Sequence, residues 1–163
     1  MKLLLPALAY LCISTACAGV LVGRVVGIAD GDTITVLDAD SNPHKVRLAG
    51  IDAPEKAQAF GERAKQHLSD RVFDQSVQVT FGKSDRYGRL VGKVIPDGED
   101  VNLQMVREGL AWHYKAYEGE QPAWDRLTYS MAEDIARRRQ IGLWSDAERI
   151  PPWEWRAHKR QSG

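Results

Sequence analysis

The strongest constraint on this chain is a succession of short β-rich runs, each closed by a turn cluster. Residues 20–28 and 33–37 are separated by Asp30-Gly31-Asp32, and residues 38–43 form a second turn cluster ahead of 45–48. Short runs rich in Val, Ile and Thr, punctuated by Asp, Gly, Asn and Pro, read as a three-stranded antiparallel meander. Two further runs, 77–81 and 90–95, lie either side of the polar turn 83–88 and supply strands four and five. After Pro54, residues Ala57, Phe60, Ala64, Leu68 and Val72 recur at helical spacing, which predicts a helix over 54–73 with Gly61 as a mild liability inside it.

A second helix is predicted over 102–108, with Leu103, Val106 and Leu110 on one face and Gly109 as its stop. A third starts near Pro122, with Trp124, Leu127, Met131 and Ile135 as its buried stripe, and runs until Gly142. The order β-β-β-α-β-β-α-α predicts an α+β fold: a five-stranded, partly closed Greek-key barrel of the OB type with three helices packed on it. From Ser145 the chain is expected to be irregular, with the tryptophans of Trp153-Glu154-Trp155 packing back on the barrel and residues 156–163 fraying.

The 163 residues suffice for one domain with a real core, and 44% apolar with 27% charged residues is the balance of a folded soluble protein. The first stretch has Lys2, an apolar run over 3–13 and a small-residue end, Ala16-Cys17-Ala18. That is the pattern of a secretory signal peptide cleaved after Ala18. The run is well short of the ~20 residues a membrane anchor needs, and Ser14 stands where lipidation of Cys17 would want a branched apolar residue. The expected divisions are therefore a signal peptide (1–18), a domain (19–146) and a C-terminal tail (147–163). The exported product, periplasmic or secreted, would be a monomer free of the membrane. Both cysteines, Cys12 and Cys17, fall in the leader, so disulfides, thiol catalysis and thiolate metal ligation are excluded from the mature chain. With 22 basic and 22 acidic side chains, attraction for phosphate has to come from local arrangement.

Asp30-Gly31-Asp32-Thr33 by itself reads as a hairpin turn, and Asp52-Ala53-Pro54-Glu55 by itself reads as a helix start. Taken together they have a second reading. Strands two and three are neighbours, so Asp32 can meet the 52–55 loop at one mouth of the barrel, giving two hard oxygen donors and a third carboxylate nearby. A divalent cation relieves the repulsion within such a set. Phosphodiester hydrolysis needs a Lewis-acidic ion and a carboxylate that orients or deprotonates water. Arg47, and Arg89 from Asp85-Arg86-Tyr87-Gly88-Arg89, add planar cations matched to phosphate. Either arginine alone would be an ordinary surface ion pair.

These motifs, with Val101-Asn102, Gly109-Leu110-Ala111 and Leu143-Trp144-Ser145, resemble the staphylococcal nuclease (thermonuclease) family in order over almost all of 22–145. The resemblance implies a calcium-dependent nuclease acting on DNA and RNA with little sequence specificity and leaving 3′-phosphorylated products. It implies Asp32 and Asp52 as ligands of one Ca²⁺, joined by the backbone carbonyl of Ala53, where the type enzyme has threonine. Glu55 would be the general base, and Arg47 and Arg89 would hold the scissile phosphate. Arg86 stands where the family has a phosphate-contacting lysine, and Tyr87 and Tyr117 match residues on the nucleotide side, where bases would stack. Trp112 and Tyr114 read as core. Arg137-Arg138-Arg139 reads as a solvated helix face, and His44, His67, His113 and His158 lack metal-ligand spacing. The competing reading is a noncatalytic OB module that binds nucleic acid.

Overall fold

The computed structural model describes residues 18–161; the leader reading over 1–17 and the last two residues lie outside the described part. Five strands close into a barrel in the order β1-β2-β3-β6-β5. They are β1 (Gly19–Asp30), β2 (Thr33–Leu37), β3 (Pro43–Leu48), β5 (Ser76–Ser84) and β6 (Leu90–Pro96). The meander β1-β2-β3 is as expected, but the barrel is fully rather than partly closed. Val46–Leu48 pairs in parallel with Leu90–Gly92 of β6, and the long β1 reaches β5 on its other side. Alternate side chains fill the interior: Val25, Ile34, Val36, Val46, Leu48, Val79 and Val94 are fully buried. Closure leaves no long unpaired edge.

Two further two-residue strands, β4 (Ile51–Asp52) and β7 (Trp112–His113), pair antiparallel outside the barrel. The sequence pattern does not announce them. They hold the chain straight just where Asp52 must be presented.

Helix α1 spans Gly61–Val72, not 54–73. Residues 53–60 are a string of turns, with the Gln58 N–H donating to the Glu55 carbonyl (2.8 Å), the Gly61 N–H to the Gln58 carbonyl (2.9 Å) and Phe60 left-handed at φ 66°. Gly61 is a requirement rather than a liability, because a Cβ there would collide with the Glu55 carbonyl. Helix α1 buries Ala64, Leu68 and Val72 over the barrel.

Helix α2 (Val101–Arg107) starts on an Asp100 cap that accepts the Leu103 N–H at 3.0 Å, and Gly109 follows it at φ 62°. Its buried Asn102 accepts the Val94 N–H (3.1 Å) and donates to the Ala49 (3.0 Å) and Gly92 (3.1 Å) carbonyls, stitching α2 to β6 and to the segment leading into β4.

Helix α3 (Ala123–Arg138) overturns the expected stripe. Trp124 is 74% exposed, and Leu127, Met131 and Ile135 also face solvent. The buried face is Tyr129, Ala132, Glu133 and Ala136. Small alanines let α3 lie close on α2, while the Tyr129 hydroxyl donates to Asp100 (2.8 Å) and Glu133 accepts the His113 N–H (3.0 Å).

The tail is also corrected. Residues Pro152–Gln161 form a fourth helix, α4, where irregular structure and fraying were expected. Pro152 takes the first helical position, Glu154 the first turn and Lys159 and Arg160 the last, a distribution that suits the helix dipole. Trp153 packs not on the barrel as expected but beside it, edge-on to Trp112 at 5.6 Å and stacked on Tyr114 at 5.4 Å. No helix among the described residues is long and apolar enough to cross a membrane.

Candidate active site

Barrel register places the first functional side chains. Val46 and Leu48 point into the core, so Arg47 between them must point out, and it pairs with Thr33 across β2 and Val91 across β6. Asp32 immediately precedes Thr33. The turn carrying it is compressed under α1, since a Cβ on Gly31 would stand 2.7 Å from that of Ala64 and 2.8 Å from that of Ala53. Asp32 Oδ1 accepts from Arg47 Nη1 (2.9 Å) and from the Thr33 hydroxyl (3.1 Å), and its Oδ2 accepts the Ala53 N–H (3.0 Å). That last bond joins the 52–55 loop to the β1-β2 turn, the approach that pairing the two motifs anticipated.

Asp52 has 0% of its surface exposed. Its Oδ1 accepts from Arg47 Nη2 at 3.0 Å. A second guanidinium, Arg156 of α4, donates to Asp52 Oδ2 (2.7 Å) and Oδ1 (3.2 Å) and to Glu55 Oε1 (2.7 Å). Sequence reasoning missed Arg156. Pro152, Glu154 and the basic last turn are signals from which its helix could have been read, but nothing local announces a partner 104 residues away.

Burial pushes the Asp32 carboxyl up to about 6, aided by the Asp30 charge and opposed by Arg47 and the hydrogen bonds. For Arg47, burial opposes the charge, yet Asp32 and Asp52 carry its pKa above the ordinary value. Arg156 is raised likewise: burial works against it, and the bonds to Asp52 and Glu55 outweigh that.

Arg89 stands apart from the carboxylate pair. Its Nε donates to Asp85 Oδ2 at 2.8 Å and its Nη1 reaches the Thr33 hydroxyl at 3.4 Å, so Thr33 alone links it to Asp32. Tyr87 is exposed between Arg86 and Arg89, whose guanidinium carbons lie 4.9 and 5.4 Å from its ring centre. Tyr117 sits on a 3₁₀ turn (Lys115–Glu120), with Lys83 Nζ 5.3 Å above its ring. A single cleft of about 1390 Å³ is lined by Asp32, Arg47, Ala53, Glu55, Arg86, Tyr87, Arg89 and Tyr117. The same cleft is lined by Tyr114, Trp153, Arg156 and Arg160. Asp52 is behind this wall. Trp112 is core, as read, whereas Tyr114 is half-exposed on the cleft. Arg137 is not purely solvated, its guanidinium lying 4.2 Å from the Trp144 ring centre.

The donor set fits a hard divalent cation in kind. Asp32 and Asp52 are buried oxygen donors that share the Arg47 guanidinium, and two carboxylates in one pocket favour positive charge beside them. Among the described residues no three His, Cys, Asp or Glu side chains are gathered as a metal cluster; Glu55, the third acid, is bonded to Arg156.

Similarity to known proteins bears on this geometry. The family model described as staphylococcal nuclease homologue matches residues 45–146, which takes in Arg47, Asp52, Glu55 and Arg89 and begins after Asp32. A micrococcal nuclease of Shigella flexneri is 48% identical over 143 residues, covering 82% of this chain and 79% of its own. Protein ParB of Escherichia coli is 44% identical over 160 residues (92% and 87%), and an uncharacterized endonuclease of Haemophilus influenzae is 42% identical over 137 residues (84% and 74%).

Proposed function

This chain belongs to the staphylococcal nuclease family, and we propose that it is a calcium-dependent nuclease that hydrolyses DNA and RNA with little sequence specificity and leaves 3′-phosphorylated products. The observation that carries the reading is the convergence of Asp32, Arg47, Glu55 and Arg89 on one cleft with Asp52 directly behind. A purely nucleic-acid-binding module has no use for two buried carboxylates beside a third acid.

Asp32, Asp52 and the Ala53 carbonyl would hold the cation, whose chemistry there would be Lewis-acid polarisation of a phosphoryl oxygen. Glu55, on a loop braced by Gln58, accepts the proton of the attacking water. The water oxygen bonds to phosphorus as the bond to the 5′ oxygen breaks; that oxygen leaves with a proton taken from solvent water, and the phosphate stays on the 3′ side. Arg47 and Arg89 face the equatorial oxygens and stabilise the charge that builds there; neither takes part in proton transfer. Tyr87 and Tyr117 give bases a stacking surface that every base can use, and Arg86 adds a phosphate contact.

We also propose export through the leader 1–18, so that intact mass of protein recovered outside the cytoplasm shows a chain beginning at Gly19. The activity is tested with circular single-stranded DNA, in calcium or in chelator. Calcium-dependent linearisation followed by fragmentation, with 3′-phosphate ends, is expected. An intact circle in calcium would overturn the reading.

A further inference from the structure

We propose that Arg156 is a resident counter-cation of the site: in the calcium-free protein it occupies the space between Asp52 and Glu55 that the cation and the attacking water need, and α4 must loosen to release it. The inference rests on the calcium reading above. Asp52 has no exposed surface and both its oxygens are held by guanidinium groups. A divalent ion can reach it only if one of the two lets go. Two cations on one carboxylate repel, so retaining both guanidiniums against a bound ion is unfavourable.

The structure distinguishes which arginine leaves. Arg47 is on β3, paired on one side to β2 and on the other to β6, inside a closed barrel. Arg156 is on α4, where Pro152 is the only fully buried residue and which belongs to no ladder of the barrel. That segment lies over the cleft through Trp153, which packs on Tyr114 and Trp112, and through the Ile150 carbonyl, which accepts from Gln58 at 2.5 Å. A buried carboxylate left with too little counter-charge is costly, which gives the resting protein a reason to recruit a cation from its own tail. The same guanidinium engages Glu55, so one movement frees both the ion's ligand and the base.

If the site is calcium-competent only when Arg156 is away, apparent affinity is the intrinsic affinity reduced by the open fraction. Calcium chloride titrated calorimetrically into the full chain should bind Arg156→Gln on the order of 10-fold tighter than the parent, with Arg156→Lys between them, since an ammonium cannot fork across two oxygens. In the unmutated protein, calcium should speed amide hydrogen exchange over 152–161 and leave β3 protected. Equal or weaker binding by Arg156→Gln would overturn the inference while leaving the calcium reading intact. Unchanged exchange over 152–161 at calcium saturation would overturn it without recourse to a variant. Calcium binding to neither protein would remove the calcium reading, and this inference with it.

Discussion

Two arginines grip the same buried carboxylate from different parts of the molecule. Arg47 comes from β3, where its direction is set by strand alternation and its position by two ladders. Arg156 comes from α4, an element of ten residues that rests on the surface through a few aromatic contacts. Both bonds to Asp52 are short, at 3.0 and 2.7 Å, so distance alone does not separate their roles. The rigidity behind each one does. A cation on a strand is a fixed part of the site, ready for a phosphate, whereas one on a terminal helix can be exchanged.

Substitutions test that contrast. The largest effect should come from Glu55→Gln, the acid that Arg156 guards: kcat falls by about 10²–10⁴ with substrate affinity little changed, because the proton acceptor goes and the cleft stays. Next, Arg47→Ala should cost roughly 10²–10³ in kcat. Because it strips a counter-charge from Asp32 and Asp52 at once, it should also destabilise the cation-free fold by about 3–5 kcal/mol, read by denaturant unfolding. Arg89→Ala should lose a similar factor in rate but less stability, since it pairs with one partly exposed acid, Asp85, where Arg47 serves two buried ones. Arg156→Gln should cost less stability than Arg47→Ala, because Arg47 still holds the buried Asp52 and the other partner, Glu55, is 37% exposed. A loss as large as that of Arg47→Ala would make α4 as fixed as the strand and erase the distinction.

The last effect is one of pH. Asp32 in the folded, calcium-free protein has its carboxyl raised to about 6 from 3.8. Folding therefore favours the protonated form: between about pH 4 and 6 the native state holds more proton than the unfolded one. Stability from this group is fully present below its unfolded value and declines as pH rises through that window. Asp32→Asn should flatten that part of the curve, measured as Tm against pH in chelator.

The barrel was legible in the sequence because strand alternation and turn chemistry act locally: Val46-Arg47-Leu48 and Asp30-Gly31-Asp32 each state their own geometry. Bringing Asp32, Arg47 and the 52–55 loop together followed from the adjacency of strands two and three. Stretches where tertiary contact overrides local signal read differently. Trp124, Leu127, Met131 and Ile135 have helical spacing and apolar character, yet close packing on α2 selects the face with Ala132 and Ala136. The start of α1 was misplaced because Pro54 resembles a first helical residue, while Gly61 is needed against the Glu55 carbonyl. Arg156 could not be found from the sequence, since its role is a contact between the chain's tail and residues 52 and 55.

In the proposed mechanism Glu55 moves the proton while the arginines only stabilise charge, and a pH–rate series on circular single-stranded DNA separates these roles. With Glu55→Gln, Arg47→Ala and Arg89→Ala side by side, rising pH supplies hydroxide. Partial recovery of Glu55→Gln is expected, with no recovery of either arginine variant. Equal recovery of all three, or near-full activity of Glu55→Gln at neutral pH, would contradict it.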